Sequence, residues 1–172
     1  MTRARITVTT ADASHAPKLH ALITANLEEG HLLPRTRDEL VAHAPRFAVA
    51  RRGRKIVGCA ELAPLGPHLA EIRSLAVDRS ARGCGVGTAL VEELQRRARA
   101  EGFETLCAFT HSPAYLVQMG FSIVPHLWVP EKISTDCVNC PQFRKCGQFA
   151  VVTPVPHQQA GDERAADAVG YA

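Results

Sequence analysis

The sequence predicts a single α/β domain built on a central mixed sheet. The chain has 172 residues, about the length of one domain. Hydrophobic residues make up 46% and charged residues 22%, close to the average of globular proteins. Short β-branched runs alternate with helical periodicities in the order β-α-α-β-β-β-α-β-α-β. Such an order favours a layered α/β architecture in which helices cover a sheet.

The first elements are a strand followed by two helices. Residues 3–9 alternate in polarity and are rich in β-branched side chains, which is typical of a strand. Asp12 offers helix-capping chemistry, and apolar residues then recur at helical spacing up to Leu27. We expect Gly30 to end this helix, and residues 35–43 to form a second, shorter one.

Three strands and a long helix follow. Residues 47–50 and 55–62 predict two strands joined by a polar, glycine-containing hairpin turn. Residues 69–77 predict a third, central strand. Residues 88–101 form the clearest amphipathic pattern of the chain, with a leucine and alanine face opposite a charged face. Gly102 is expected to end this helix.

The remaining elements are shorter. Residues 105–109 predict a buried strand, residues 112–119 a short helix and residues 121–124 another strand. Residues 125–147 are rich in proline and cysteine and are expected to be irregular, and residues 148–153 predict a last strand. We therefore expect one domain over residues 1–153 and a loosely packed tail over residues 154–172.

Charge and hydropathy exclude several classes of function. The formal net charge is only +3 and aromatic residues make up 5%, which argues against a dedicated nucleic-acid-binding protein. The longest apolar stretches are far shorter than the ~18–20 residues needed to span a bilayer, so no membrane partner is expected. The N-terminal segment lacks the apolar region of a signal peptide, and we expect a cytoplasmic protein.

The most informative segment is a glycine-rich turn between a strand and a helix, at residues 82–88. Glycines permit close approach of a ligand to the backbone, and the free N–H groups of a first helical turn attract anions. Such a turn suits a pyrophosphate, but no Gly-Lys-Ser/Thr follows, so it is not a P-loop. The alternative is an ordinary tight connection between a strand and a helix.

The wider pattern resembles the GCN5-related N-acetyltransferases, or GNAT family. Residues 82–87 match the R/Q-x-x-G-x-G/A signature of this family, and the preceding strand ends in Leu-Ala-Val-Asp at residues 75–78, as theirs often does. The Gly-Phe pairs at residues 102–103 and 120–121 are further common features. The resemblance covers residues 3–153.

The resemblance implies a fold and a cosubstrate. The GNAT fold splays two central strands of a mixed sheet into a V-shaped cleft for acetyl-CoA, with helices on both faces. It places the pyrophosphate of acetyl-CoA on the amides of the glycine-rich turn and the pantetheine along the preceding strand. We assign no metal. The expected cofactor-binding residues are Leu75, Ala76, Val77, Arg82, Gly83, Cys84, Gly85, Val86, Gly87 and Thr88.

An amine must lose a proton before it attacks a thioester, so a general base is needed. By the same resemblance, Glu71 is the expected catalytic base, acting directly or through a water. The alternative is a structural salt bridge between Glu71 and Arg73. Many relatives also carry a tyrosine that protonates the leaving thiolate, but Leu116 stands at that position here. Tyr115 is one residue away and is more simply explained as a packing aromatic.

Three segments resemble N-acetylglutamate synthases. Residues 27–40 resemble the segment of these enzymes in which an E-E-x-G-x-L-x-x-R-x-x-E-L run joins the first two helices, and residues 47–65 match the strands that follow. Residues 137–146 resemble the C-x-x-C-P-x-F-x-x-C tail of their short bacterial members. The resemblance implies direct transfer of acetyl to the α-amine of glutamate, the step that opens arginine biosynthesis.

The expected substrate-binding residues are Arg35, Arg73 and His111. Arg35 maps to the family arginine that meets a substrate carboxylate, and its alternative is an ion pair with Asp38 or Glu39. Arg73 is either a second carboxylate partner or the counter-ion of Glu71. His111 lies where full-length synthases carry an arginine, so glutamine or another amino acid stays open as the acceptor.

Other readings of the sequence remain open. The three cysteines at residues 137, 140 and 146 could contribute to a metal site, but only three ligands are local, and we favour a reduced thiol cluster. The domain could acetylate a protein amine, or could bind acetyl-CoA as a sensor without catalysis. We expect a small amino acid as the partner, no nucleic acid and no membrane, and we leave a homodimer open.

Overall fold

The computed structural model describes residues 5–27 and 32–156, which contain one seven-stranded sheet flanked by helices. The strands are β1 (Ile6–Thr10), β2 (Phe47–Arg52), β3 (Lys55–Pro64), β4 (Leu69–Val77), β5 (Thr105–Thr110), β6 (Ser122–Val124) and β7 (Phe149–Pro154). The α-helices are α1 (Ala16–Leu27), α2 (Arg37–His43), α3 (Val86–Ala100), α4 (Ala114–Gln118) and α5 (Pro130–Thr135).

The sheet is mixed, as predicted. Its strand order is β1-β2-β3-β4-β5-β7-β6, and β4 and β5 form its parallel pair, with the other neighbours antiparallel. The parallel pair requires a long crossover, which α3 provides. The β2–β3 hairpin turns at Gly53, whose φ of 61° is in the left-handed region that glycine tolerates.

Helices cover both faces of the sheet. The apolar side of α3 packs on one face through Leu90, Leu94 and further residues that are fully buried, joined there by Leu116 of α4. Leu19 and Ile23 of α1 pack with other apolar residues on the opposite face. Each buried leucine or isoleucine contributes about 1.5–3 kcal/mol to stability. The predicted α/β architecture with helices on both faces is confirmed.

The two central strands separate half-way along their length. Backbone pairing between β4 and β5 runs from Leu69 opposite Thr105 to Ile72 opposite Ala108. Beyond that point β4 remains paired with β3 and β5 with β7. The β4 edge over residues 73–77 is therefore free on the β5 side, and this opening is the V-shaped cleft that the family resemblance implies.

A β-bulge in β4 changes which residues face which side. Cys59 of β3 pairs with Ala76 and Glu61 pairs with Arg73, so β4 has one extra residue in this interval. Ser74 lies there with a φ of 51°, an uncommon conformation for a residue other than glycine. Because the alternation of side chains shifts, Arg73 faces the side of α1 and α2, whereas Leu75 packs toward α3.

The structure corrects the C-terminal part of the prediction. Residues 125–147 are not simply irregular, since they contain α5 and three 3₁₀ turns. Pro154 belongs to β7, and Val155 is buried in the core, so packed structure extends beyond residue 153. The predicted end of the first helix at Gly30 and the tail over residues 157–172 lie outside the described residues. No helix of the described chain is long and apolar enough to cross a membrane.

Candidate active site

A cavity of about 630 Å³ lies between β4, the glycine-rich turn and α4. Its walls include most of the residues predicted to bind the cofactor. The lining consists of Asn26, Leu32, Leu75, Val77, Ala81, Arg82, Gly83, Gly85, Val86, Gly87, Thr88 and Tyr115. The fold thus brings the turn and the splayed part of β4 to one place, with backbone and apolar groups forming most of the surface.

The N-terminus of α3 forms one wall and is suited to an anion. Gly83 and Gly85 have φ values of 68° and 81°, which only glycine adopts without strain. Gly85 is the N-cap, and because glycine has no side chain it makes no capping hydrogen bond to the first turn of α3. The N–H groups of Val86 and the next residues therefore point outward from the positive end of the helix dipole.

Arg82 links the turn to the opposite side of the cavity through hydrogen bonds. Its Nη2 donates to Asn26 Oδ1 of α1 at 2.7 Å, and its Nε donates to the carbonyl of Val77 at 3.3 Å. Asn26 is itself oriented by donating from Nδ2 to the Leu22 carbonyl. The signature arginine thus links β4, the turn and α1, which holds the cavity walls at a fixed separation.

Tyr115 contributes to this cavity and is more than a packing aromatic. Its hydroxyl donates to Thr88 Oγ1 at 3.3 Å, and burial raises the pKa of this hydroxyl, which the hydrogen bond to Thr88 partly opposes. A Cβ at Gly87 would lie 3.0 Å from the same hydroxyl, so a side chain there would have to displace the hydroxyl. Leu116, at the usual tyrosine position, is buried in the core instead.

A second group of residues forms an ionic cluster on the other side of the bulge. Glu71 is 3% exposed and accepts from Arg73 Nε at 2.5 Å. The ammonium group of Lys132, from α5, lies 2.8 Å from Glu71 Oε1 and 2.9 Å from Oε2. The carboxylate of the predicted base is therefore held between two cations, and its predicted alternative, a salt bridge to Arg73, is present.

Asp136 completes this cluster from the solvent side. Its Oδ2 accepts from Lys132 Nζ at 2.8 Å and from Arg73 Nη2. Burial lowers the pKa of the Arg73 guanidinium, but the carboxylates of Glu71 and Asp136 outweigh this and the net shift is upward. Arg73 thus bridges two carboxylates, and it is the counter-ion of Glu71, one of the two roles that the sequence left open for it.

Arg35 lies in a neighbouring ionic cluster on the same face of the sheet. Its Nη1 is 2.8 Å from Oε2 of Glu61, a β3 residue that is 1% exposed, and its Nε is 2.8 Å from Glu39 Oε1. The same guanidinium donates to Ser74 Oγ at the bulge, at 3.3 Å. Because Glu61 pairs directly with Arg73 across the strands, the two clusters are adjacent.

Besides Glu71, Arg35 and Arg73, three predicted residues lie apart from the cavity lining. Ala76 is buried on the α1 face, Cys84 is half-buried within the turn, and His111 is exposed beside Gly147, beyond the end of β5. His111 lies beside Gly147 rather than in the wall of the cavity. The backbone of Ala76 still belongs to the free edge of β4.

All six cysteines are free thiols. Cys59 and Cys107 are buried, and burial raises the pKa of Cys59 to about 12. Cys137 and Cys140 are half-buried and Cys146 is exposed. Among the described residues, no three histidine, cysteine or acidic side chains lie close enough together to hold a metal ion.

Sequence reasoning missed Glu61, Lys132, Asp136 and Asn26. A glutamate within the apolar run of β3 was a usable signal, since a charge in a buried strand needs a partner. Lys132 and Asp136 are four residues apart, a helical spacing, in a segment that we expected to be irregular. Nothing local marks Asn26, whose role depends on the position of Arg82.

Comparisons with known proteins agree with this geometry. Residues 16–121 match the model of the acetyltransferase (GNAT) family. An uncharacterized N-acetyltransferase of Chlorobaculum tepidum is 34% identical over 124 residues, which are 72% of this chain and 80% of that protein. An amino-acid acetyltransferase of Pseudomonas syringae pv. syringae is 37% identical over 95 residues, 55% of this chain but only 22% of that longer protein.

Solved structures show the same architecture. The N-acetylglutamate synthase from Neisseria gonorrhoeae, complexed with coenzyme A and N-acetyl-glutamate, superposes with a TM-score of 0.80 at 25% identity and covers 91% of this chain and 36% of the synthase. A Mycobacterium tuberculosis protein in complex with CoA superposes with a TM-score of 0.75 at 23% identity, over 87% of this chain and 99% of its own. With the signature turn, the splayed strands and the family match all in place, the chain belongs to the GNAT family of acetyltransferases.

Proposed function

We propose that this protein transfers the acetyl group of acetyl-CoA to the α-amine of an amino acid, with L-glutamate as the preferred acceptor. One observation carries the proposal: a cavity lined by the glycine-rich turn lies on one side of the β4 bulge, and a cluster of paired carboxylates and guanidinium groups lies on the other. A cosubstrate with a pyrophosphate and an acceptor with carboxylates would meet at the bulge.

Acetyl-CoA would occupy the cavity between the turn and β4. Its pyrophosphate would receive hydrogen bonds from the amides at residues 83–88, where Gly83 and Gly85 keep the backbone accessible. Its pantetheine would pair with the β4 edge over residues 75–77, which β5 leaves free. The neighbour from Neisseria gonorrhoeae, whose structure holds coenzyme A, supports this placement.

The chemistry would be direct transfer without an acetyl-enzyme. The α-ammonium group loses one proton, its nitrogen attacks the thioester carbonyl, a C–N bond forms and the C–S bond breaks. The second nitrogen proton passes through water to the CoA thiolate, which leaves as the thiol. Glu71 would accept the first proton. Because Glu71 is buried and both its oxygens contact Lys132, a water molecule would relay the proton rather than the amine touching the carboxylate.

Arg35 and Arg73 would bind the carboxylates of the acceptor. Both guanidinium groups lie on the same face of the sheet as Glu71 and flank the bulge, and a guanidinium matches a carboxylate in geometry and charge. His111 would be a peripheral contact, since it is exposed beyond β5. We further propose that the product serves arginine biosynthesis in the cytoplasm, as the resemblance to amino-acid acetyltransferases implies.

Release of CoA from acetyl-CoA, measured against a panel of free amino acids, tests the proposal. Saturable turnover with glutamate is the expected result, and turnover with glutamine alone would retain the mechanism but change the specificity. Tight binding of acetyl-CoA without turnover of any amino acid would contradict the proposal and favour a protein acceptor or a sensor. Initial-rate patterns of the ping-pong type would contradict direct transfer.

The Arg35→Ala variant tests the acceptor site. We expect the KM for the amino acid to rise by roughly tenfold to a hundredfold, because an ionic contact to a carboxylate is lost, with little change in the KM for acetyl-CoA. The Arg46→Ala variant is a control that removes a guanidinium from an exposed position near α2. Equal increases in both KM values for Arg35→Ala would indicate a structural role.

A further inference from the structure

Two cations of the site, Arg73 and Lys132, share a carboxylate that comes from the protein itself. Both bind the buried Glu71 on one side and the same oxygen of Asp136 on the other. The side chains of these four residues become steadily more exposed from Glu71 at 4%, through Lys132 at 14% and Arg73 at 26%, to Asp136 at 37%. Asp136 is thus the member through which solvent reaches the cluster.

Glu71 and Asp136 differ in how firmly the fold holds them. Glu71 lies in the middle of β4, paired with β3 and β5 on both sides. Asp136 follows the last residue of α5, a helix of six residues, and occupies its C-cap. A half-exposed ion pair contributes little to stability because water screens it and the side chains lose freedom. Displacement of Asp136 by another carboxylate would therefore cost little.

We propose that the Asp136 carboxylate occupies the place of one acceptor carboxylate, and that a bound amino acid displaces it from Arg73 and Lys132. This inference rests on the proposed function. An incoming carboxylate would accept hydrogen bonds from the same donors, Arg73 Nη2 and Lys132 Nζ, while Glu71 keeps its own contacts. Lys132 is thereby a second substrate-binding cation, and Asp136 acts as an internal competitor that sets the affinity for the acceptor.

Because of this competition, the direction in which the KM for glutamate changes in one variant tests the proposal. When Asp136 is bound to the cations, the acceptor subsite is closed, so the apparent affinity is reduced by the fraction of molecules in that state. The Asp136→Asn variant keeps the size of the side chain but removes its charge. We expect the KM for glutamate to fall, roughly threefold to tenfold, while the KM for acetyl-CoA stays nearly constant. If Asp136 only stabilised α5, the Asp136→Asn substitution would raise the KM for glutamate or leave it unchanged.

Glutarate provides a readout that is independent of turnover, since it carries both carboxylates of glutamate but no amine. Its inhibition constant against glutamate should fall in Asp136→Asn by the same factor as the KM. The matched control is Glu131→Gln, which removes a carboxylate from the same helix. In the part of the chain that the structure describes, Glu131 makes no ion pair with either cation, so both constants should stay at their original values.

A double variant distinguishes loss of the proposed competition from a general structural effect of the substitution. In a Lys132→Met background, the acceptor KM should be raised, and adding Asp136→Asn should improve it less than in the original protein, because part of the contested site is gone. Wild-type turnover of glutamate with an unchanged or raised KM in Asp136→Asn overturns this inference alone. Absence of turnover with every amino acid overturns the proposed function and this inference with it.

Discussion

The two sides of the β4 bulge are built in different ways. The side on which we propose that acetyl-CoA binds, here called the cofactor side, is made largely of backbone amides, glycines and apolar walls, and most of it comes from residues 75–88. The side proposed for the amine, here called the acceptor side, is made of charged side chains that converge from α2 and the loop before it, β3, β4 and the segment at α5. Ser74, in its left-handed conformation, stands between them.

This difference has a physical cause. A pyrophosphate is recognised by peptide dipoles, so a short motif that fixes backbone conformation is sufficient. An amino acid must be distinguished from other amines by the position of its charges, and charged groups in a half-buried site need partners from several elements. The cofactor side is therefore suited to a cosubstrate that is common to a family, and the acceptor side to the specificity of one member.

The largest effect is expected from loss of the proposed base, because this substitution on the acceptor side should lower the rate of the chemical step. Glu71→Gln should lower kcat by roughly 10²–10⁴-fold, the usual contribution of a general base, and should abolish the pH dependence that the base gives to kcat/KM. Steady-state kinetics over a range of pH measure both. Glu104→Gln, which removes an exposed carboxylate paired with His68, is the control. An unchanged pH profile in Glu71→Gln would leave this residue only its structural ion pairs.

A substitution in the turn should affect the cofactor side alone. Gly87→Val would place a side chain against the Tyr115 hydroxyl, which lies 3.0 Å from the position of a Cβ there. We expect the KM for acetyl-CoA to rise by roughly tenfold or more while the acceptor KM stays nearly constant. Gly66→Ala is the control, because a Cβ at Gly66 has its nearest neighbour at 3.7 Å. A comparable rise in the acceptor KM would show that the two sides are not independent.

A smaller effect is expected from the buried carboxylate that supports Arg35. Glu61→Gln should lower the free energy of unfolding by roughly 1–3 kcal/mol, because Arg35 loses a buried counter-ion. It should also raise the acceptor KM without altering that for acetyl-CoA. Chemical denaturation and steady-state kinetics measure these effects. A stability equal to that of the original protein, with a raised acceptor KM, would assign Glu61 to substrate binding rather than to support of Arg35.

Much of the fold was predictable because it depends on local patterns. β4 has the predicted bounds, 69–77, and α3 begins two residues before the predicted start. The amphipathic stripe of α3 and the glycines of the turn encode their own conformations. The segment after residue 125 was not predictable in this way, because α5 is short and its charged residues, Lys132 and Asp136, find their partners on β4.

The candidate site divides along the same line. The sequence by itself determined the glycine-rich turn, because its glycines define the backbone geometry there. The family resemblance named Glu71 and Arg35, and Arg73 followed from its place two residues after Glu71. Only the tertiary structure decided that Tyr115 reaches the turn and that His111 lies beside Gly147 rather than in the wall of the cavity. It also decided that Glu61 and Lys132 hold the named residues. Ion pairs between distant segments depend on strand register and on the bulge at Ser74, and no local pattern encodes them.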